Sequence, residues 1–474
     1  MENIKPYNKY KPSGIAWLGD IPEHWERWKI SRGVKNIGSG TTPSSGNKDF
    51  YENGTINWLN TGDFNNGILF KCKKKVTSKA LQENSSLKLF PKGTLSIAMY
   101  GATIGKVCII QFDATTNQAC CNIVEGKIFD NKFLMYWFIG HKPHIVNLSY
   151  GGGQPNISQD VIKSLFVPCP IKSEQTAIAN FLDYKTAKID RFIRKKKQLI
   201  KLLNEQKAGI INHAVTRGLD PDAKLKDSGI EWLGDIPEHW EIVKLTGVCG
   251  FARGNSSFKK DELLSNGKYV ALQYGKTYKV NEVDEKYQFY VNDEFYKVSQ
   301  IVNYGDVIFI STSETIEDLG HSVFYNRSDL GLLGGEQILL KPKNDIVNGK
   351  YLCYSSKIFA KELKKYATGV KVFRFNINDL KTIYISVPPI QEQTAIVAHI
   401  EKETSIITKT IATIEKEIAL TQEYRTALIA EAVTGKIDVR AFVIPTVSPQ
   451  EELYEEIEDE LDMVAEDEES YENE

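Results

Sequence analysis

The sequence predicts a duplicated α/β (α+β) architecture: two mixed domains in tandem, joined by two long helices that pair with each other as a coiled coil. Three observations predict it. First, the stretch WLGDIPEHWE is identical at Trp17–Glu26 and Trp232–Glu241, and EQTAI recurs at Glu174–Ile178 and Glu392–Ile396. The offsets are 215 and 218 residues, so the whole unit is repeated. Second, a long heptad-like stretch without proline follows each EQTAI. Third, the intervening segments are β-branched and aromatic runs between Gly-rich turns. Two copies of this length are too few and too long for a solenoid, so tandem domains with pseudo-two-fold potential are expected.

In chain order, residues 1–166 form the first domain, within which GTLSIAMYGATIGKVCIIQF reads as strand, tight loop, strand. Residues 167–220 form the first helical region. Its helix is expected over 173–213, with Ser173, Glu174 and Gln175 as the start signal after Pro168 and Pro170, and Gly218 and Pro221 ending it. Its stripe is Ile178, Leu182, Ile189, Phe192, Leu199, Leu203 and Ile210, interrupted by Lys196 and Gln206. Residues 221–386 form the second domain, where GDVIFISTSETIEDLGHSVFY repeats the strand–loop–strand rhythm. Residues 387–440 form the second helical region, with the stripe Ile396, Ile400, Ile407, Ile411, Ile414, Ile418 and Leu428. Each stripe is narrow and needs a partner, and the other copy is the obvious one. Residues 441–474 are an acidic tail, expected to be solvated and disordered in its last part.

The net charge of −2 conceals an asymmetry. Fourteen of the 61 acids lie between Glu451 and Glu474, so the other 47 face 59 Lys and Arg, an excess of 12 bases. A basic body suits a polyanionic partner. No apolar run is long enough to span a bilayer, and the N-terminal stretch MENIKPYNKYKPSG carries no apolar signal core. With seven cysteines, of which only Cys120 and Cys121 are close together, the reading is a cytoplasmic protein whose thiols are small buried hydrophobes.

The motifs that would carry chemistry fail on spacing. Gly101 to Lys106 is one residue short of a phosphate-binding loop, Val107 replaces the metal-holding hydroxyl, and a strand follows where a helix is needed. Gly38-Ser39-Gly40 continues into Thr41-Thr42-Pro43 and is no dinucleotide fingerprint. HExxH, GxSxG, an amino-methyltransferase Asn/Asp-Pro-Pro-Tyr motif and a nuclease-type pair of acids before Lys224 are all missing. His24 and His239 recur at equivalent places, but they read as part of a docking element in which Trp25 and Trp240 pack against the domain.

WLGDIPEHWE opening each unit, EQTAI closing each variable segment, and YGATIGKV with TTNQACCNI inside the first together resemble the specificity subunits of type I restriction–modification systems. The resemblance runs to about Arg440. It implies that the variable segments are target-recognition domains, each reading one half of a split DNA site, and that the helices pair antiparallel and hold them apart. It implies a non-catalytic chain with no cofactor or metal of its own. Two methyltransferase subunits and, through them, restriction subunits would be the partners, and S-adenosylmethionine, ATP and Mg would reside there. A stand-alone DNA-binding regulator or architectural protein is the alternative.

Base reading needs amides, hydroxyls and cations at loop tips. In the first domain the candidates are Thr41, Thr42, Tyr100, Thr103, Lys106, Gly152, Gln154 and Asn156, with Lys73, Lys74 and Lys75 for phosphates. In the second they are Arg253, Asn255, Ser311, Thr312, Ser313, Lys371, Arg374 and Asn376, because TGVKVFRFNIN sits where GGGQPNIS sits in the first. The loops differ, so an asymmetric target is expected. One added turn in both helices should lengthen the gap between half-sites by about 5.4 Å, one to two base pairs.

Overall fold

The computed structural model describes residues 5–15, 17–149, 155–256, 258–369 and 371–445. Gly152, Gln154 and the acidic tail from 446 onward lie outside the described residues. The chain divides into two compact units: one holds its residues up to 196 and from 416 on, the other residues 197–415.

The first unit is built on a five-stranded sheet from β1 (Asn36–Gly38), β2 (Gly67–Leu69), β3 (Leu95–Ala98), β4 (Val107–Ile110) and β5 (Cys120–Val124). Their order is β1-β5-β3-β4-β2, all antiparallel except the β2–β4 pair. Every residue of β3 and β4 is buried, as expected for strands covered on both faces. Helix α1 (Asn131–Gly140) covers one face with Phe133, Leu134, Trp137 and Phe138, and Asp130 caps it. The second unit repeats this with β6 (Cys249–Arg253), β7 (Glu282–Val283), β8 (Val307–Ile310), β9 (Ser322–Tyr325) and β10 (Gln337–Pro342). The order β6-β10-β8-β9-β7 and the single parallel pair, β7–β9, match the first unit strand for strand. Helix α3 (Gly349–Leu363) takes the place of α1; α2 is the intervening long helix, Lys172–Arg217, and α4 (Ile390–Val433) is its second copy.

Helix α2 starts one residue before Ser173, and the amides of Glu174 and Gln175 bond to the Ile171 carbonyl, so Ser173 is not its cap. The expected stripe is also corrected at two places. Phe192 and Leu199 are exposed, whereas Ile193 and Ile200 turn inward. The true seam is Leu182, Thr186, Ile189, Ile193, Lys196, Ile200, Leu203, Lys207, Ile210 and Ala214, a strict alternation of four and three. Gln206 is exposed, and Lys207 occupies the seam in its place. Polar residues at three seam positions hid this phase from a hydrophobic reading. Helix α4 keeps the same register 218 residues on, from Ile400 through Thr404, Ile414 and Arg425 to Ala432.

The two helices pack antiparallel in each unit. In the first, Arg425 donates to both Asp190 carboxylate oxygens at 2.8 and 3.0 Å, and Lys196 meets Glu417 at 2.8 Å. In the second, Lys207 donates to Thr408 Oγ1 at 2.9 Å, and Ile211, Ala214 and Val215 share a core with Ile396 and Ile400. Each unit therefore joins the start of one long helix to the end of the other.

The docking element anchors these helices. Trp25 and Trp240 are fully buried, in line with the packing role read from the sequence. Trp25 Nε1 donates to Glu174 at 3.1 Å and Trp240 Nε1 to Glu392 at 3.0 Å, while His24 and His239 Nε2 lie 3.0 and 2.8 Å from the same carboxylates. Gln175 and Gln393 each accept an amide hydrogen at 2.8 Å, from Asp130 and Asn348, which begin α1 and α3. The sequence limits at 166/167 and 386/387 fall inside two strands, Phe166–Cys169 and Tyr384–Val387, because these pair with Glu26–Lys29 and Glu241–Lys244 of the docking element.

Candidate nucleic-acid interface

Four of the first domain's candidates, Thr41, Thr42, Tyr100 and Asn156, converge on the loops at one end of its sheet. Beyond β1 the chain must pass Thr116 so closely that a Cβ on Gly40 would lie 1.8 Å from the Thr116 carbonyl oxygen, which only glycine permits. Gly40 N donates to Thr116 Oγ1, and a buried chain continues through Asn122 to Ser96, so the loop sits on a satisfied polar base. From there Thr41 accepts the Trp58 indole hydrogen at 3.3 Å and Thr42 donates to Gln118 at 2.7 Å. Lys74 stands over the Trp58 ring at 5.9 Å, and the Lys73 amide and the Asn60 amide share the Asp63 carboxylate. Lys73, Lys74 and Lys75 are all exposed.

Gly101 to Thr103 forms a short 3-10 turn followed by β4, so it is no phosphate-binding loop leading to a helix. Thr103 donates to the Tyr100 carbonyl at 3.3 Å, and Lys106 is half-buried at the far side of the turn. Tyr100 pairs across a bridge with Asn156, and both side chains are exposed. The structure therefore joins Thr41, Thr42, Tyr100 and Asn156 through Gln118 and the Ala119–Met99 bond. Sequence reasoning missed Asn117 and Gln118, although the TTNQACC stretch was their signal, and Asn60, to which Asn117 donates at 3.2 Å.

The second domain repeats the frame with other side chains. A Cβ on Gly254 would lie 1.8 Å from the Gly334 carbonyl oxygen, the same close approach as at Gly40. Arg253 and Asn255 are exposed, and the buried Gln300 positions both by donating to the Arg253 carbonyl and accepting the Asn255 amide hydrogen. Gln300 had no local sequence signal, because it acts from 45 residues away. Thr312 pairs with Arg374 in a short antiparallel ladder, and Lys371 is exposed in the turn that leads into it.

Two expected readers, Ser311 and Ser313, are corrected, and a third, Asn376, also serves a helix start. Ser311 and Ser313 are buried at 6% and 4%, since alternate residues of that segment face the core, and Ser313 Oγ accepts the Thr315 amide hydrogen. Asn376 caps a short helix, Ile377–Leu380, by accepting the Asn378 amide hydrogen at 2.8 Å. The two serines are therefore turned into the core, whereas Asn376 stays exposed at the start of its helix.

Burial pushes the Cys121, Cys169 and Cys249 thiols up to about 12 and Cys353 up to about 11, away from the thiolate that metal binding or nucleophilic attack needs. No helix among the described residues is long and apolar enough to cross a membrane.

A family model for the type I restriction modification DNA specificity domain matches residues 22–202 and again 237–419. The chain belongs to this family. Each match opens in a docking element and closes in a long helix, so the family's unit and the repeat seen here coincide. The function is that of a type I restriction–modification specificity subunit with two DNA-recognition domains. The chain is 23% identical over 438 residues to the type I restriction enzyme MjaIX specificity subunit of Methanocaldococcus jannaschii, covering 89% of this chain and 95% of that one. It is 25% identical over 437 residues to the MjaVIII specificity subunit of the same organism, covering 89% and 94%. A chain in a solved structure on complex assembly and conformational transition of the type I R-M system matches with a TM-score of 0.67 and 15% identity. That match covers 88% of this chain and 99% of that one, and it is a likeness of fold.

Proposed function

We propose that each domain of this specificity subunit reads one half of an asymmetric bipartite DNA site. The loop clusters around Tyr100 and Thr312 make the base contacts and the exposed lysines around Lys74 hold phosphates. The observation that carries this reading is the pairing of one strand topology with two different sets of exposed loop side chains. The long helices set the gap between half-sites. The docking elements and helices carry two methyltransferase subunits, and restriction subunits join through them. This chain performs no chemistry of its own: S-adenosylmethionine, ATP and Mg belong to the partners, and the assembly works in the cytoplasm.

Co-expression with a cognate adenine methyltransferase tests this. Two methyltransferase copies should co-purify per chain, and adenine methylation should appear at one bipartite, non-palindromic motif. A chain that binds its site tightly alone and recruits no methyltransferase would instead be a free-standing regulator.

A further inference from the structure

We propose that Asn156 and Arg374 occupy one and the same base-reading position in the two domains, Asn156 addressing an adenine in one half-site and Arg374 a guanine in the other. The inference rests on the two-half-site reading above and names the bases that reading leaves open.

The two positions are equivalent in structure as well as in sequence. They are 218 residues apart, the offset of the EQTAI repeat. In each domain a central strand, β3 or β8, runs out to a tip residue, Tyr100 or Thr312, and the returning chain pairs with it antiparallel. The next residue along is tied back in the same way: Ile157 N donates to the Met99 carbonyl at 2.9 Å, and Phe375 N to the Ser311 carbonyl at 3.2 Å. The residue after that caps a short helix in both, Ser158 at 3.2 Å and Asn376 at 2.8 Å.

This frame fixes where positions 156 and 374 face. Ile157 and Phe375 are buried at 1% and 6%, and extended chain alternates its sides, so the preceding residue points outward. Asn156 and Arg374 are both exposed, and among the described residues neither side chain has a hydrogen-bond partner. The Arg374 backbone is held on a second side as well, exchanging hydrogen bonds of 2.9 and 3.0 Å with Thr368. A polar fork on backbone held by antiparallel pairing is pre-organised for a base edge. A planar amide matches the N6 and N7 groups of adenine, and a guanidinium matches O6 and N7 of guanine. The tip partners differ too, Tyr100 against Thr312, so the groove wall beside the two forks is not the same.

The test is the methylated motif of the full complex with its methyltransferase, read by methylome sequencing. Asn156→Arg is expected to turn one A·T position of one half-site into G·C, and Arg374→Asn the reverse in the other, with the rest of the motif unchanged. Asn156→Ala and Arg374→Ala add no bulk and should make those positions degenerate. Discrimination between duplexes differing only there should fall roughly tenfold to hundredfold in competition binding. If the wild-type complex methylates a bipartite motif and the alanine variants keep every position equally sharp, the inference is overturned while the two-half-site reading stands. If the wild-type complex methylates no bipartite motif, the reading falls and the inference with it.

Discussion

Glu174 and Glu392 show how much a single side chain organises here. The buried Glu174 accepts hydrogen bonds from Tyr7 at 2.7 Å and Trp25 at 3.1 Å, and Glu392 serves Trp240. Beside them, Gln393 accepts the Asn348 amide hydrogen and donates to the Ile346 and Pro388 carbonyls at 2.9 and 2.8 Å. Gln393→Ala would remove the partner of three backbone groups, the Pro388 carbonyl buried and the other two partly so, and a loss of about 2 kcal/mol is expected in urea unfolding. The repeated WLGDIPEHWE and EQTAI were both legible in the sequence, but not that they are two halves of one contact. Trp25 and Glu174 lie 149 residues apart, and no local pattern encodes such a meeting. Asp306 gives a pH prediction. Burial pushes its carboxyl up to about 6, above the ordinary value, so the folded state holds the proton more tightly than the unfolded chain does. The contribution is full at acid pH and is lost as pH rises through about 6. Asp306→Asn keeps the acceptor for the Asn303 amide, so it should raise stability by about 2 kcal/mol at pH 8 and by little at pH 4. Equal gains at both pH values would contradict this.

At the scale of elements, the paired helices are matched in register but not in chemistry. By the 218-residue offset Lys207 corresponds to Arg425, and Thr408 to Asp190. One unit has a bidentate ion pair where the other has an ammonium on a hydroxyl. Desolvation, with the nearby Lys357 charge, lowers the Lys207 pKa. Thr408→Asp should therefore stabilise the second unit by about 1 kcal/mol, a gain that 1 M salt largely removes. The heptad seam also refines the expected length effect on the DNA gap. A single added turn would rotate the stripes out of phase, whereas seven residues added to both helices preserve it. That adds about 10.5 Å, close to three base pairs, and the methylated motif should show a longer gap between unchanged half-sites. An unchanged gap would show that the helices do not set it. The helices and their pairing were legible from heptad spacing. The phase at Ile193 and Ile200 was not, because the half-buried Lys196 and Lys207 sit in the seam among the apolar residues.

For the whole molecule, the compact units do not follow chain order. The first unit closes on the last described segment: Tyr10 donates to the Gly435 carbonyl at 2.9 Å, and Asp438 N to the Lys5 carbonyl at 2.8 Å. A permuted chain, with residue 445 joined to residue 5 through a short linker and a new opening at the turn after Asp220, should fold and support methylation of the same motif. Loss of the motif in a folded permutant would mean that chain order itself matters to reading. What the sequence by itself determined was the duplication, the mixed domains and the paired helices. Identity at a constant offset and apolar periodicity are local properties that survive without contacts. Only the tertiary structure decided which loop residues face outward, as Asn156 and Arg374 do, and which are spent inside, as Ser311 and Ser313 are. It also decided that each unit borrows the end of the other copy's helix. Both depend on burial and on long-range hydrogen bonds, which arise only when segments far apart in the chain are packed together.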